Sequence, residues 1–452
     1  MSARLPMRIG VAAVASPLEV GAEDAPMLLQ QLARRLREEP GVEVVVSPGP
    51  VVDASAAVVA GRHFYQERID ALCVVAASWY EDYLVLDLLE ECPAPVVAWA
   101  RPGMETGSLC GMQQLVYMLK ALDHPYAFLY AAIDADAGSD TAWAEVKPFV
   151  AAAALRNRLR RARIGHLGHR VDGMTETTPH ELALKKVLGP RVVPIDSQVF
   201  LQRVAQVPEH TVQQRWREIA GRVGQVTASD EAGVESLQVY TALREVIDEG
   251  GLAAVAVGCY PHLMGKVCLA ASLLGEEGVP VACEGDVNGA LGMAMLTWLS
   301  GEPVHNTDQL DPVAADDESS AIVYSHCGSG GFSLAARAEG IELAPVRLMH
   351  SGLCCRFIPR SGPVTLLNIA PELGGYRLAA LYGQALDVAD DPEAMIFPGN
   401  PLRVQFASGY RQVLTWIAEE GLGHHWMAAY GDHRPTLGHL ARLVGCGWTT
   451  MA

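Results

Sequence analysis

Short runs of β-branched and small apolar residues alternate with amphipathic, helix-period segments over the first two-thirds of the chain. "MRIGVAAVAS" is followed by "APMLLQQLARRLREEPG"; then come "VEVVVSP", "ALCVVAAS", the amphipathic "YEDYLVLDLLEE" and "APVVAWARP". Strand-like runs separated by helical periods predict a parallel sheet with crossover helices. The glycine-flanked "TGSLCGMQQLVYMLKAL" reads as a loop entering a helix. "WAEVKPFVAAAALRNRLRRAR" reads as a connecting helix whose arginines suit its C-terminal end. A second α/β unit opens at "RIGHLGHRVDGM" and continues through "VLGPRVVPID", one long helical segment over Glu209–Glu249, and "GLAAVAVGCYP". It closes at "GVPVACEGD", and the helix "VNGALGMAMLTWLSG" leads out of it. From about Glu302 onward β signals and Pro/Gly turns dominate, as in "SAIVYSHCG", "PVTLLNIAP" and "EAMIFPGNP", with helices expected at "RQVLTWIAEEG" and "RPTLGHLARLVG". The pattern predicts an α/β chain: two Rossmann-like parallel-sheet domains, 1–160 and 161–301, followed by a β-rich α+β C-terminal domain, 302–452.

Length and composition fit this division. A chain of 452 residues is too long for one core. The 52 acidic against 34 basic residues give a net charge of −18, which argues against a phosphate-backbone partner such as nucleic acid. Ten cysteines without a CxxC pair point to reduced thiols and a cytoplasmic setting. The N-terminal "MSARLPMRIGVAAVAS" imitates a secretory signal, but the helix that closely follows makes it a first strand. No apolar run is long enough to span a membrane.

The chemistry concentrates where apolar runs end. Glu284 and Asp286 follow "VPVA", Asp308 lies in "PVHNTD", His326 ends "AIVYSH" and His425 lies in "GLGHHWMAAYGD". Buried carboxylates are costly unless paired, and sheet edges are where α/β proteins place ligands and catalysts. A mixture of carboxylate and imidazole suits a divalent ion such as Mn²⁺. Asp286, just before a helical run, reads as that helix's N-cap. His424 and His425 present alternate faces if extended, so at most one is expected in a site. Asn288 either hydrogen-bonds near the site or caps a backbone group. "HCGSGG", containing Ser329, is either an N–H nest for a hydroxyl-rich ligand or a turn.

The motifs "ACEGDVNGALGMAMLTWLSGEPVHNTD", "SHCGSGG" and "GLGHHWMAAYGD", with weaker "GSLCGMQQL", "HRVDGM" and "GCYP", carry a resemblance. From about Leu252 the chain resembles the L-fucose isomerase / L-arabinose isomerase superfamily, in particular its smaller fucose-isomerase-like members. The resemblance implies an aldose–ketose isomerase working through a cis-enediol. Glu284 and Asp308, 24 positions apart, match the two metal-binding catalytic carboxylates. His425 matches a late metal ligand, and His326 falls where arabinose isomerases carry another, giving a fourth ligand or a hydrogen-bond donor to the ligands. Mn²⁺ is the implied cofactor, and a small sugar the implied partner. A homo-oligomer, hexameric or trimer-based, is also implied, with Trp99, Arg101 and the Gln113 loop reaching a neighbouring subunit's site. A fucose-like Asp308 beside an arabinose-like His326 leaves the sugar open. Arg101, Arg356 and Arg360 are candidates for binding an acidic substituent on it. A sugar-binding sensor protein, or a lyase or epimerase sharing an enediolate-stabilising site, are the alternatives.

Overall fold

The structure, a computed structural model, describes residues 4–133, 137–313, 321–391 and 393–452. The chain divides into two compact units, Leu5–Arg158 and Leu159–Ala452.

In the first unit, β1 (Met7–Val14), β2 (Val42–Val46), β3 (Ala71–Ala76), β4 (Val96–Ala100) and β5 (Tyr126–Tyr130) form a parallel sheet in the order β2-β1-β3-β4-β5. β3 and β4 are buried at every position, as central strands covered on both faces must be. Their continuous apolar runs are the sequence form of that environment. Within the segment that imitates a secretory signal, Met7–Val14 forms β1.

The second unit opens with a four-stranded parallel sheet. It contains β6 (Arg163–Leu167) and β7 (Arg191–Ile195); β8 (Gln225–Val226) belongs elsewhere; β9 (Ala254–Val257) and β10 (Val281–Ala282) complete it in the order β10-β9-β6-β7. The single helical segment expected over Glu209–Glu249 is instead two helices, Glu209–Ala220 and Asp230–Gly250. Gly221 and Gly224 interrupt the first, and the Ser229 hydroxyl caps the second by accepting from Ala232 N–H.

The rest is β-rich. β11 (His305–Pro312), β12 (Ala321–Ser325), β13 (Glu342–Val346), β14 (Ser351–Arg356), β15 (Gly362–Glu372), β16 (Gly375–Ala385), β17 (Leu402–Gln405), β18 (His425–Tyr430) and β19 (Gly447–Met451) follow. Seven strands run in the order β15-β18-β11-β12-β17-β16-β19, and β15 also pairs with β16. That last pairing closes six antiparallel strands into a barrel, with β19 added in parallel on β16. β8 pairs in parallel with β13, so the two parts of this unit share a small sheet, β14-β13-β8.

The helix Val287–Ser300 links them. Its first twelve residues, Val287–Trp298, are all buried, and a helix apolar on every side is one packed on every side. Gly289 and Gly292 face Met427 on β18, and a Cβ at Gly289 would sit 2.8 Å from Met427 Cε. The helix start is thereby pressed against the barrel strand that begins with His425. Among the described residues no helix is long and apolar enough to cross a membrane. All ten cysteines are free thiols.

Candidate active site

Barrel register assembles the site. Asp308 on β11 lies directly opposite His425 on β18 and, on its other side, opposite Ser325 on β12. His326 is the residue after Ser325. Three adjacent strands therefore bring Asp308, His425 and His326 together through backbone pairing alone. Glu284 arrives separately, from the turn after β10. It adopts φ 62° and is followed by Gly285 at φ 72°. A non-glycine residue held in the left-handed region costs of order 1–3 kcal/mol and persists only where the surroundings fix it.

The turn delivers the Glu284 carboxylate to the histidines. His425 Nε2 lies 3.2 Å from Glu284 Oε2 and 3.4 Å from Asp308 Oδ1. His326 Nε2 lies 3.6 Å from Asp308 Oδ1 and 3.9 Å from Glu284 Oε2. All four sequence candidates thus gather around His425, in two overlapping groups whose donor atoms lie within 4.8 Å of one another: Glu284 with His424 and His425, and Asp308 with His326 and His425. Both histidines are buried, while Glu284 and Asp308 keep 20% and 28% of their side-chain surface open, so the carboxylates are what a ligand meets.

A divalent ion fits this donor set. Donors about 2.1 Å from a cation lie about 3 Å apart when at right angles and about 4.2 Å apart when opposite, and the four separations fall in that interval. Asp308 Oδ1 is also buried with no hydrogen-bond partner, as a carboxylate oxygen available to a cation would be.

The two histidines are wired differently. His425 Nδ1 lies 2.9 Å from Asp286 Oδ2, so it donates to that carboxylate and leaves Nε2 as the ligating nitrogen. The other Asp286 oxygen accepts from Gly289 N–H at 2.9 Å. Asp286 is therefore the helix N-cap expected from sequence and, in addition, the group that orients His425. His326 is the reverse. Its Nδ1 accepts from the Cys327 N–H at 2.9 Å, which places the ring hydrogen on Nε2, toward the carboxylates.

Charge follows geometry. Burial pulls His425 down, but Asp286 and Glu284 outweigh it and lift its pKa to about 9. Burial likewise opposes protonation of His326, yet Asp308 and Glu284 hold it well above the ordinary histidine value. Burial would raise Glu284, but its two histidine neighbours win and keep it far below the usual carboxylate range.

The remaining candidates are placed as follows. Asn288, the second residue of the helix, is buried and donates to Thr177 O at 3.3 Å, leaving its Oδ1 buried and unpartnered beside the site. Ser329 is buried in a loop already tied down: Gly330 N–H donates to Asn400 Oδ1 at 3.0 Å, and Cys355 N–H to Gly328 O at 2.9 Å. With the Cys327 amide bonded to His326, the backbone groups expected to form a nest are partly committed. In the first unit, Trp99 is fully buried, stacks on Trp143 and donates to Ala131 O at 2.9 Å, which are the contacts of a core residue. Arg101 pairs with Asp24 at 3.2 Å and donates to Ala77 O, while Gln113 is exposed near the start of helix Ser108–Ala121. Arg356 pairs with Glu342, and Arg360 with Glu302 while stacking on Tyr430. The three arginines considered for an acidic substituent thus each carry a carboxylate partner.

Two features escaped sequence reasoning. His424 sits in a bend before β18, so strand alternation does not apply to it; its Nδ1 lies 3.0 Å from Glu176 and its Nε2 4.0 Å from Asp308 Oδ1. Both adjacent histidines therefore flank the site, where one at most was expected. The loop after β6 forms a wall. Val171 N–H donates to Glu284 O at 3.3 Å, Thr177 O receives Asn288, and Glu176 faces His424. Only "HRVDGM", a weak motif, marked that loop in advance.

The chain is thus an α/β protein with a carboxylate–histidine cluster at strand ends, whose donor groups could hold a metal ion. Comparison with known proteins makes this more specific. The chain is 27% identical over 388 residues to the sulfoquinovose isomerase of Alkalicoccus urumqiensis, spanning 83% of this chain and 84% of that protein. It is 26% identical over 392 residues to the sulfoquinovose isomerase of Priestia aryabhattai, with the same coverage, and 24% identical to that of a Clostridium species over 78% of this chain and 79% of the relative. The similarity supports an isomerase of carbohydrate metabolism. No family model matches the chain. The fructose-binding periplasmic domain of a hybrid two-component system shares 14% identity over 56% of this chain and 71% of its own, at a TM-score of 0.17, too loose to carry an argument.

Proposed function

We propose that this protein is a divalent-metal-dependent aldose–ketose isomerase that acts on a sulfonated aldose of the sulfoquinovose type and forms the corresponding ketose through a cis-enediol. The observation that carries the reading is that Glu284 and Asp308 each lie within 3.2–3.9 Å of both His326 and His425, in a chain similar along four-fifths of its length to sulfoquinovose isomerases.

Glu284, Asp308 and His425 Nε2 would hold the cation, with Mn²⁺ the ion that the family resemblance implies and that mixed oxygen and nitrogen donors can accept. Its chemistry is Lewis-acid polarisation of the substrate carbonyl, which stabilises charge as the C2 proton leaves. Glu284 and Asp308 are the acid/base pair. One removes the proton at C2 and returns it at C1, while the other serves the hydroxyl that becomes the new carbonyl. Such proton transfers contribute on the order of 10²–10⁴-fold each. Asp286 keeps His425 in the tautomer that leaves Nε2 available. His326 Nε2–H points between the two carboxylates and serves as a hydrogen-bond donor to a substrate oxygen rather than as a fourth ligand. The resemblance of its sequence motifs to the L-fucose / L-arabinose isomerase superfamily extends the proposal to a cytoplasmic homo-oligomer, hexameric or trimer-based, in which Gln113 and the loop before it face a neighbour's site.

The test is sulfoquinovose with Mn²⁺-loaded enzyme in D₂O, followed by NMR. Ketose formation with deuterium at C1 or C2 is expected, lost on chelation and restored best by Mn²⁺. Glu284→Gln should retain the fold and lose turnover by at least about 10³-fold. A metal-replete, active Glu284→Gln enzyme would refute the assignment. Sugar binding without ketose would leave a sensor protein.

A further inference from the structure

We propose that Arg170 is the anchor for the sulfonate of the substrate and so decides which aldoses the site accepts. The inference rests on the isomerase reading and names what that site still lacks. Its walls are strongly acidic, with Glu176, Glu284, Asp286 and Asp308 all bordering the cluster. A bound cation and the histidines offset charge at the C1–C2 end of a sugar, but nothing there receives an anion at C6. A permanently charged sulfonate needs a cation not already neutralised, since a guanidinium spent on a carboxylate has little left to offer. Arg101, Arg356 and Arg360 are each spent in this way.

Arg170 is not. It lies on the wall loop after β6, partly buried, and no carboxylate pairs with it among the described residues. Its Nη1 donates at 3.0 Å to the carbonyl of Val171, the residue whose N–H is bonded to Glu284 O. The guanidinium is thereby held within one residue of the Glu284 contact, with four of its N–H groups left for a ligand. The loop cannot drift away from the site, because the His169–Arg170 peptide packs on Gly285. A Cβ there would lie 2.6 Å from His169 O and 2.7 Å from Arg170 N. A planar fork on the loop that borders the site, with its backbone fixed, matches a tetrahedral oxyanion on the far carbon of an open-chain sugar.

The experiment measures calorimetric binding to the full-length Mn²⁺-loaded protein of two unreactive alditols, sulfonated 6-deoxyglucitol and glucitol. Arg170→Gln should weaken the sulfonated alditol by about 10- to 100-fold and leave glucitol unchanged, with Arg170→Lys in between. With sulfoquinovose the same loss should appear in KM more than in kcat. Arg360→Gln, already paired elsewhere, should bind both alditols as the wild type does. Manganese content and thermal midpoint separate an anchor defect from a folding defect, and rescue by lysine argues for charge. Equal affinity of Arg170→Gln and wild type for the sulfonated alditol would overturn the proposal, as would a wild type that does not prefer it. Because binding is read without turnover, an anchor that binds but an enzyme that makes no ketose would instead overturn the isomerase reading.

Discussion

Asp286 does two jobs with two oxygens, and they can be separated. Asparagine is as good an N-cap as aspartate, so Asp286→Asn should keep the helix start within about 1 kcal/mol. It removes the charge that orients His425, and loss of such a partner typically costs 10–100-fold in metal affinity. A titration showing unchanged Mn²⁺ affinity in this variant would deny Asp286 its orienting role. Protonation gives a second test at this scale. In the metal-free protein His425 carries a proton up to about pH 9, and that proton must leave Nε2 before it can bind a cation. Below that value protons compete with the metal, so affinity should climb by at least about tenfold per pH unit from neutrality and level off above it. An affinity flat between pH 6.5 and 9 would count against His425 as ligand. Sequence showed the residue types and the cap. It could not show the opposite wiring of the two histidines, because that depends on which backbone amide and which carboxylate each ring meets.

The decisive element is the turn after β10. Two consecutive left-handed residues, Glu284 and Gly285, turn the chain from strand to helix and expose the first carboxylate. Gly285 needs both its positive φ and its missing side chain. Gly285→Ala should destabilise the fold by about 1–3 kcal/mol and displace the His169–Arg170 peptide, seen as a lower thermal midpoint and raised protease cleavage in that loop. An alanine variant as stable as wild type would show that the loop is not pinned there. This turn was legible as a strand handing over to a helix, but its conformation was not. Likewise β11, β12 and β18 were readable as apolar runs. Their register, which places Asp308 between His425 and Ser325, depends on the β11–β18 pairing between residues more than a hundred positions apart, and no local pattern encodes it.

At the scale of the whole molecule, the alternating pattern gave the two parallel sheets, since buried strands and crossover helices leave a periodic trace. Closure of the C-terminal strands into a barrel left none, because the β15–β16 hairpin and the β17–β16 contact look locally like any antiparallel pair. If, as proposed, the barrel and the β10 turn supply different ligands to one cation, metal binding should tie two parts of the second unit together. At a free Mn²⁺ concentration a hundred times its Kd, the gain is about 2.7 kcal/mol. Chelation should therefore lower the thermal midpoint measurably, and Asp308→Asn should abolish that difference. A midpoint indifferent to chelator would mean that the two parts do not share a ligand.

The claim on which all of this depends is that one cation sits among these four side chains. Anomalous diffraction at the manganese edge, from crystals grown with Mn²⁺, tests it most directly. The account predicts a single strong peak within bonding reach of Glu284, Asp308 and His425 Nε2, with His326 facing it but not bonded. A map with no peak at that point, from protein that still turns over its sugar, would contradict it.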